Sequence, residues 1–289
     1  MRRGFWSYFL VPPGLWLVAL YLLPLGLIVA ASFGSVDFLG RVIYEWPFSG
    51  WDLSNYHTVL GSTDYLPAFF RSLAFALLTT ALCLVIGYPV AYVIARYGGR
   101  LRHLFVVLLV LPWFVDYLIR VYAWIVLLGD NGVVNGWLGD LGMKGDPPVQ
   151  FLGTWWAVVG GLFYSYFPFM VLPIYAAVER MDSSLVEAGK DLYGTPWQTF
   201  RHVTFPATFQ GVVAGAVLVF LPAAGDFANA EFLGSPSTSM IGNVINDTFN
   251  QGGYVPLGGT LTVCFMLGIA VFMVFYLRSA ARASREGAM

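Results

Sequence analysis

The chain has 289 residues, 58% of them hydrophobic and only 11% charged, with 15 Lys and Arg against 16 Asp and Glu. A soluble globular domain carries about a quarter charged residues, so this composition excludes one and points to a bilayer. A net charge of −1 without a basic stripe excludes a nucleic-acid surface.

A crossing of hydrocarbon needs about 20 mostly apolar helical residues, because no backbone N–H or C=O can be left unpaired there. Six runs qualify, at about 9–33, 67–95, 103–128, 153–178, 208–228 and 256–278. The first follows Arg2 and Arg3 and ends in a small-residue patch at Ala30, Ala31 and Ser32. Its apolar core is too long for a secretory h-region of about 7–15 residues, so it is expected to stay as a helix. The second run, like most of the others, contains a proline (Pro89), a common feature of transport helices. Cys83 and Cys264 lie inside apolar runs and read as small hydrophobes.

The third run carries charge. Read as one helix, it places Trp113, Asp116, Tyr117, Arg120 and Trp124 on a single face. A charge at a helix centre costs about 2.5–3.5 kcal/mol on insertion scales, so the stripe is expected to face the bundle interior. Two readings stand: Asp116 and Arg120 pair with each other, or Asp116 faces a translocation path and attracts a cation beside aromatic rings. After this run, NGVVNGWLGDLG puts Val133, Val134, Trp137, Leu138 and Leu141 on one face. That pattern fits a short interfacial helix or a structured cap on the bundle.

Between the fourth and fifth runs lies the polar segment ERMDSSLVEAGKDLYGTPWQTFRHVTFP, Glu179–Pro206. Asp182 or Ser183 is expected to cap a short helix running through Leu192, and Gly194 to break it. Thr195 then caps a second short helix with Pro196 in its first turn, where a missing N–H costs nothing. Pro206 marks the start of the fifth span. Two short helices joined at a bend make a compact knob with apolar contact area at Leu185, Leu192, Tyr193 and Trp197. An amphipathic loop resting on headgroups, anchored by Trp197, has the same spacing. Asp226 and Glu231 follow at the outer end of the fifth run, as candidates near a mouth or as a solvated loop edge.

Eleven basic residues gather on one side: Arg2, Arg3, Arg96, Arg100, Arg102, Arg180, Lys190, Arg201, Arg278, Arg282 and Arg285. Arg41, Arg71 and Lys144 fall on the other. The basic side is expected to be cytoplasmic, which puts both termini and the knob inside. The outer segments hold Asp37, Glu45, Asp52, Asp64, Asp130, Asp140, Asp146, Glu231 and Asp247, a balance that attracts cations and that a solvated acidic face shares. No GxxxxGK[ST] is present, His57, His103 and His202 are scattered, and no HExxH occurs, so neither an ATP site nor a metal or catalytic site is expected in this chain.

The knob resembles the EAA loop of permease subunits in type I ABC importers, Glu-Ala-Ala, then Gly, then Ile-x-Leu-Pro. Glu187 and Ala188 fit; Gly189 stands at the third Ala, Tyr193 at the Gly with Gly194 just after, and Val203–Pro206 at the last element. LPWFVDYLIRVYAWIVLLGDNGVVN and FLPAAGDFANAEFLGSPSTSMIGNVINDTF are similar to the third and fifth helices of the spermidine/putrescine branch. The resemblance implies an all-α, six-helix permease forming half of a translocation path, most simply for a polyamine. It implies a bacterial inner-membrane location, a second related permease, two ATPase subunits that bind ATP and magnesium, and an external binding protein. Glu187, Ala188, Gly189, Asp191, Tyr193, Gly194 and Pro206 would form the ATPase-coupling loop. Related permeases for iron, thiamine or phosphonate remain open, as do a stand-alone secondary transporter and a membrane scaffold. The whole chain, 1–289, reads as one membrane domain.

Overall fold

A computed structural model describes residues 11–36, 42–43, 52–250 and 254–286. Arg2, Arg3, Asp37, Arg41, Glu45 and the side chains of Tyr193 and Arg285 lie outside the described residues. Among the described residues, six helical segments are long and apolar enough to cross a membrane.

The chain falls into two compact units. The first runs to Leu66 and adds Val244–Gly268. It holds α1 (Val11–Ser32), the short antiparallel pair β1 (Ser35–Val36) and β2 (Val42–Ile43), and α2 (Ser54–Gly61). Its α12 segment starts at Val255, and Gly259 lets that segment touch α1, since a Cβ there would sit 3.1 Å from the Ile28 carbonyl oxygen. Thr260 Oγ1 donates to the Ser32 carbonyl at 3.0 Å, and Ser32 Oγ meets the Tyr56 hydroxyl at 2.7 Å. Hydroxyls thus link the end of α1 to α2 and to α12.

The second unit contains Pro67–Asn243 and the segment from Ile269 onward. In order come α3 (Leu66–Tyr97), α4 (Arg102–Val110), α5 (Tyr117–Leu128), α6 (Val133–Asp140), α7 (Trp155–Arg180), α8 (Ser183–Tyr193), α9 (Pro196–Ala224), α10 (Ala228–Leu233) and α11 (Ile241–Asn250), with α12 ending at Glu286. Its main seam is α7 on α9. A Cβ at Gly211 would lie 2.6 Å from Ala177 Cβ and 2.7 Å from the Pro173 carbonyl oxygen, so the two backbones are in contact there. Met170, Val171, Ile174 and Val178 of α7 join Val212, Ala216 and Val219 of α9 and Cys83, Tyr88 and Ala91 of α3 in one buried cluster.

Two expected boundaries need correction. The run 103–128 is not one helix: α4 gives way to a 3₁₀ turn over Leu111–Phe114, and Val115 and Asp116 are extended, with ψ of 137° and 141°. Pro112 has no N–H to continue the α ladder, and Asp116 offers its carboxylate to a new helix start instead. The fifth span does not begin near 208. α9 is continuous from Pro196, with a π-helical turn at Phe200–Thr204 just before Pro206. Pro206 therefore lies inside this helix rather than at its start, and the wider turn accommodates the missing N–H.

The 133–140 helix is present. Trp137 and Leu141 are left open, whereas Asn135 is buried, donating to the Gly129 carbonyl at 3.1 Å and accepting from Val149 N at 3.1 Å.

Candidate functional site

The knob has the expected caps. Asp182 accepts from Ser184 N at 3.0 Å and starts α8; that amide bond, aided by the Ser184 hydroxyl, holds its carboxyl below the ordinary 3.8. Gly194 ends α8 at φ 70°, a left-handed conformation glycine adopts without strain, and its N–H reaches the Lys190 carbonyl. Thr195 Oγ1 accepts from Gln198 N at 3.3 Å, with Pro196 next.

Leu185, Leu192 and Trp197 are 49%, 76% and 68% exposed, an apolar surface standing clear of this chain. Glu187, Ala188, Asp191, Gly194 and Pro206 are exposed as well. Gly189 is not. It is buried against α9, where a Cβ would sit 2.9 Å from Val203 and 3.0 Å from Thr199. Its smallness serves an internal helix crossing instead of close approach by a partner. Arg96 Nη2 donates to the Met181 carbonyl at 2.8 Å, and Arg102 pairs with Glu179 at 3.1 Å, so the segment leading into the knob is tied to the ends of α3 and α4.

The knob also reaches inward. Trp197 stacks on Phe200 with centroids 5.4 Å apart, and Phe200 meets the Tyr88 ring edge-on at 5.3 Å. The Tyr88 hydroxyl lies 2.6 Å from Thr208 Oγ1.

The charged stripe separates into parts. Asp116 is exposed and caps α5, accepting from Leu118 N at 2.9 Å. It stands in the break, not on a helical face with Arg120. Arg120 is buried, with its guanidinium 5.5 Å from the Tyr117 ring centroid, a cation–π arrangement. Trp113, Tyr117 and Arg120 line one cavity of about 470 Å³ with Ser165, Tyr166 and Phe169. Trp124 packs edge-on against Tyr164 instead.

Behind this cavity Asp226 is 7% exposed and its carboxylate is fully engaged. Oδ2 accepts from the Tyr117 hydroxyl at 2.5 Å, the Tyr166 hydroxyl at 2.9 Å and Asn229 Nδ2 at 3.2 Å; Oδ1 accepts from Asn229 N at 2.9 Å. A buried carboxylate needs such donors to stay charged away from water. Asp226 is therefore not a solvated loop edge; it holds two phenols whose rings wall the cavity. Glu231 is exposed and accepts from Asn243 Nδ2 at 2.8 Å, while Asn243 also donates to the Phe227 carbonyl. Gly242 lets α11 lie on the turn after α9, since its Cβ would be 3.0 Å from the Asp226 carbonyl oxygen.

The sequence reading missed Tyr88, Tyr166, Asn229 and Asn243. Asn229, three residues after Asp226 in an apolar stretch, was the available signal; the tyrosines blend into a composition with 16 of them.

The family described as binding-protein-dependent transport system inner membrane component matches residues 84–285. The spermidine/putrescine transport system permease protein PotB of Haemophilus influenzae is 35% identical over 94% of this chain and 92% of its own. PotB of Escherichia coli is 34% identical over 92% and 94%. The molybdenum transport system permease protein ModB of Azotobacter vinelandii is 32% identical over 58% of this chain and 73% of its own. Among solved structures, a bacterial ABC transporter that imports the acidic polysaccharide alginate superposes with a TM-score of 0.77 at 18% identity, covering 96% of each chain. That likeness speaks to the fold.

Proposed function

The chain belongs to the family of binding-protein-dependent transport system inner membrane components, and from that premise we propose that it imports a polyamine, forming half of the translocation path. It is a multi-pass inner-membrane permease subunit of an ABC importer. Residues 1–289 act as a single membrane domain with both termini and the knob in the cytoplasm, as the distribution of Lys and Arg favours. ATP and magnesium belong to two separate ATPase subunits, and a second related permease and an external binding protein complete the assembly.

The knob is the coupling loop, with Glu187, Ala188, Asp191 and Gly194 on the surface offered to the ATPase and Tyr193 in the last turn of α8. Its exposed Leu185, Leu192 and Trp197 supply contact area that this chain leaves open. Gly189 seats α8 on α9 from within, and Pro206 follows the π turn on the exposed side.

One observation carries the polyamine reading: the cavity walled by Trp113, Tyr117, Tyr166 and Phe169, with a buried carboxylate immediately behind two of those rings. Aromatic faces attract ammonium groups and cover methylenes, and the carboxylate adds to the negative potential at the phenols. The PotB relatives, similar over nearly the whole chain, support the same solute. Asp116 and Glu231 act here as helix cap and loop anchor. A second reading, an anionic solute, draws on Arg120, whose buried Nε has no hydrogen-bond partner among the described residues. Uptake of radiolabelled spermidine separates the two. Deleting the gene should abolish energised uptake and the plasmid-borne chain should restore it, with an ATPase co-purifying. Undiminished uptake in the deletion strain refutes the polyamine reading; recovery of the chain without any ATPase refutes the coupling role.

A further inference from the structure

The π turn of α9 is held from two sides. On one, α8 lies against Thr199 and Val203 through Gly189. On the other, Tyr88 of α3 packs its ring on Phe200 at 5.3 Å and Phe205 at 5.9 Å. Thr208 Oγ1 lies 2.8 Å from the Thr204 carbonyl and 3.3 Å from the Phe205 carbonyl, so its hydrogen is used within α9 and the Tyr88 hydroxyl is the donor in the 2.6 Å bond to Thr208. Tyr88 is 6% exposed, and Thr208 is fully buried.

Each helix is weakened at this contact. Pro89, directly after Tyr88, has no N–H for the Val85 carbonyl, and Pro206 interrupts the ladder of α9 beside the π turn. Gly87 seats the same turn of α3 on α7, with Val171 only 3.2 Å from where a Cβ would be. The π turn of α9 at Phe200–Thr204 and the proline position of α3 therefore meet at the Tyr88 side chain.

We infer that Tyr88 is a positioning residue for transport: it passes displacement of the knob into α3 by its hydroxyl bond to Thr208 and its ring contact with Phe200. This rests on the reading of the knob as the ATPase coupling loop. A packing residue of the core would be indifferent to the hydroxyl, because phenylalanine keeps the ring. A transmitting residue is not indifferent, since the bond is what forces α3 to follow α9.

The test uses the purified transporter with its partner subunits in proteoliposomes, reading ATP hydrolysed and radiolabelled spermidine taken up in the same sample. Tyr88→Phe and Thr208→Val should each keep ATP hydrolysis while uptake falls on the order of three- to ten-fold, the factor one buried neutral hydrogen bond is worth. The double variant should be no worse than Thr208→Val alone, because that change already removes the bond to Tyr88. An unchanged ratio of hydrolysis to uptake, whether both activities persist or both fall together, overturns the inference. A wild type that assembles with no ATPase overturns the coupling reading and this inference with it. Wild-type uptake with an unaltered ratio in Tyr88→Phe overturns the inference alone.

Discussion

Asp116 gives the sharpest quantitative test, because cap and solute contact respond oppositely to the same substitution. Its carboxylate accepts from Leu118 N at 2.9 Å and from Ile119 N at 3.4 Å, the latter a weak interaction at that length. Replacing a capping Asp by Ala costs about 1 kcal/mol, within a range of about 0.5–2, whereas Asn caps about as well as Asp. The charge lost in Asp116→Asn removes its attraction to the helix N-terminus, about 0.3–1 kcal/mol for an exposed group. Asp116→Asn should therefore melt close to the wild type and retain uptake within about two-fold, while Asp116→Ala melts lower by roughly 1 kcal/mol's worth. Melting of the purified protein in detergent and spermidine uptake in cells provide the two readings. An Asp116→Asn protein that assembles and melts normally yet transports nothing would refute the capping account, because only the charge has gone.

Three further outcomes follow from the geometry. Asp226→Ala strands two phenols and the Asn229 amide in a buried site and should cost about 3 kcal/mol or more, seen as a lowered melting temperature; Tyr166→Phe, which removes one donor, should cost about 1.5–3 kcal/mol. Gly211→Val forces a branched side chain into the Ala177 and Pro173 backbone contact and should destabilise by about 1–3 kcal/mol or more, with Gly211→Ala milder, judged by yield of folded protein. The Asp182 cap has a pH sign: its carboxyl titrates below the ordinary 3.8, so its support for α8 is complete above that value and is lost as pH falls through the lower one. Hydrogen-exchange protection across 183–193, taken relative to the intrinsic rate at each pH, should accordingly be constant from neutral pH to about 5 and fall only in strong acid, and protection already falling just below neutrality would refute it.

Much of the knob was legible because caps are local. Asp182, Gly194 and Thr195 act on amides one to three residues away, and a type of residue at a given spacing names the geometry. The break before α5 is less legible: Pro112 is tolerated in membrane helices, and the periodicity across 103–128 hides the preference of Asp116 for a helix start. What Gly189 packs against is not legible in the sequence, because a bare glycine does not say which neighbour needs the space.

Composition alone determined that this chain lives in a bilayer, for hydrocarbon demands apolar helices of a set length wherever the chain crosses. Local chemistry determined the bent loop between the fourth and fifth spans. Only the tertiary structure decided which polar groups meet. Tyr117, Tyr166, Asp226 and Asn229 come from α5, α7, the α9–α10 turn and α10, and Tyr88 finds Thr208 across 120 residues of sequence. The physical reason is that a buried polar atom needs some donor or acceptor, and any segment packed close enough can provide it. Periodicity shows which face a residue occupies; which helix covers that face is set by backbone contacts such as Gly211 on Pro173, where the absence of a side chain brings two distant segments together.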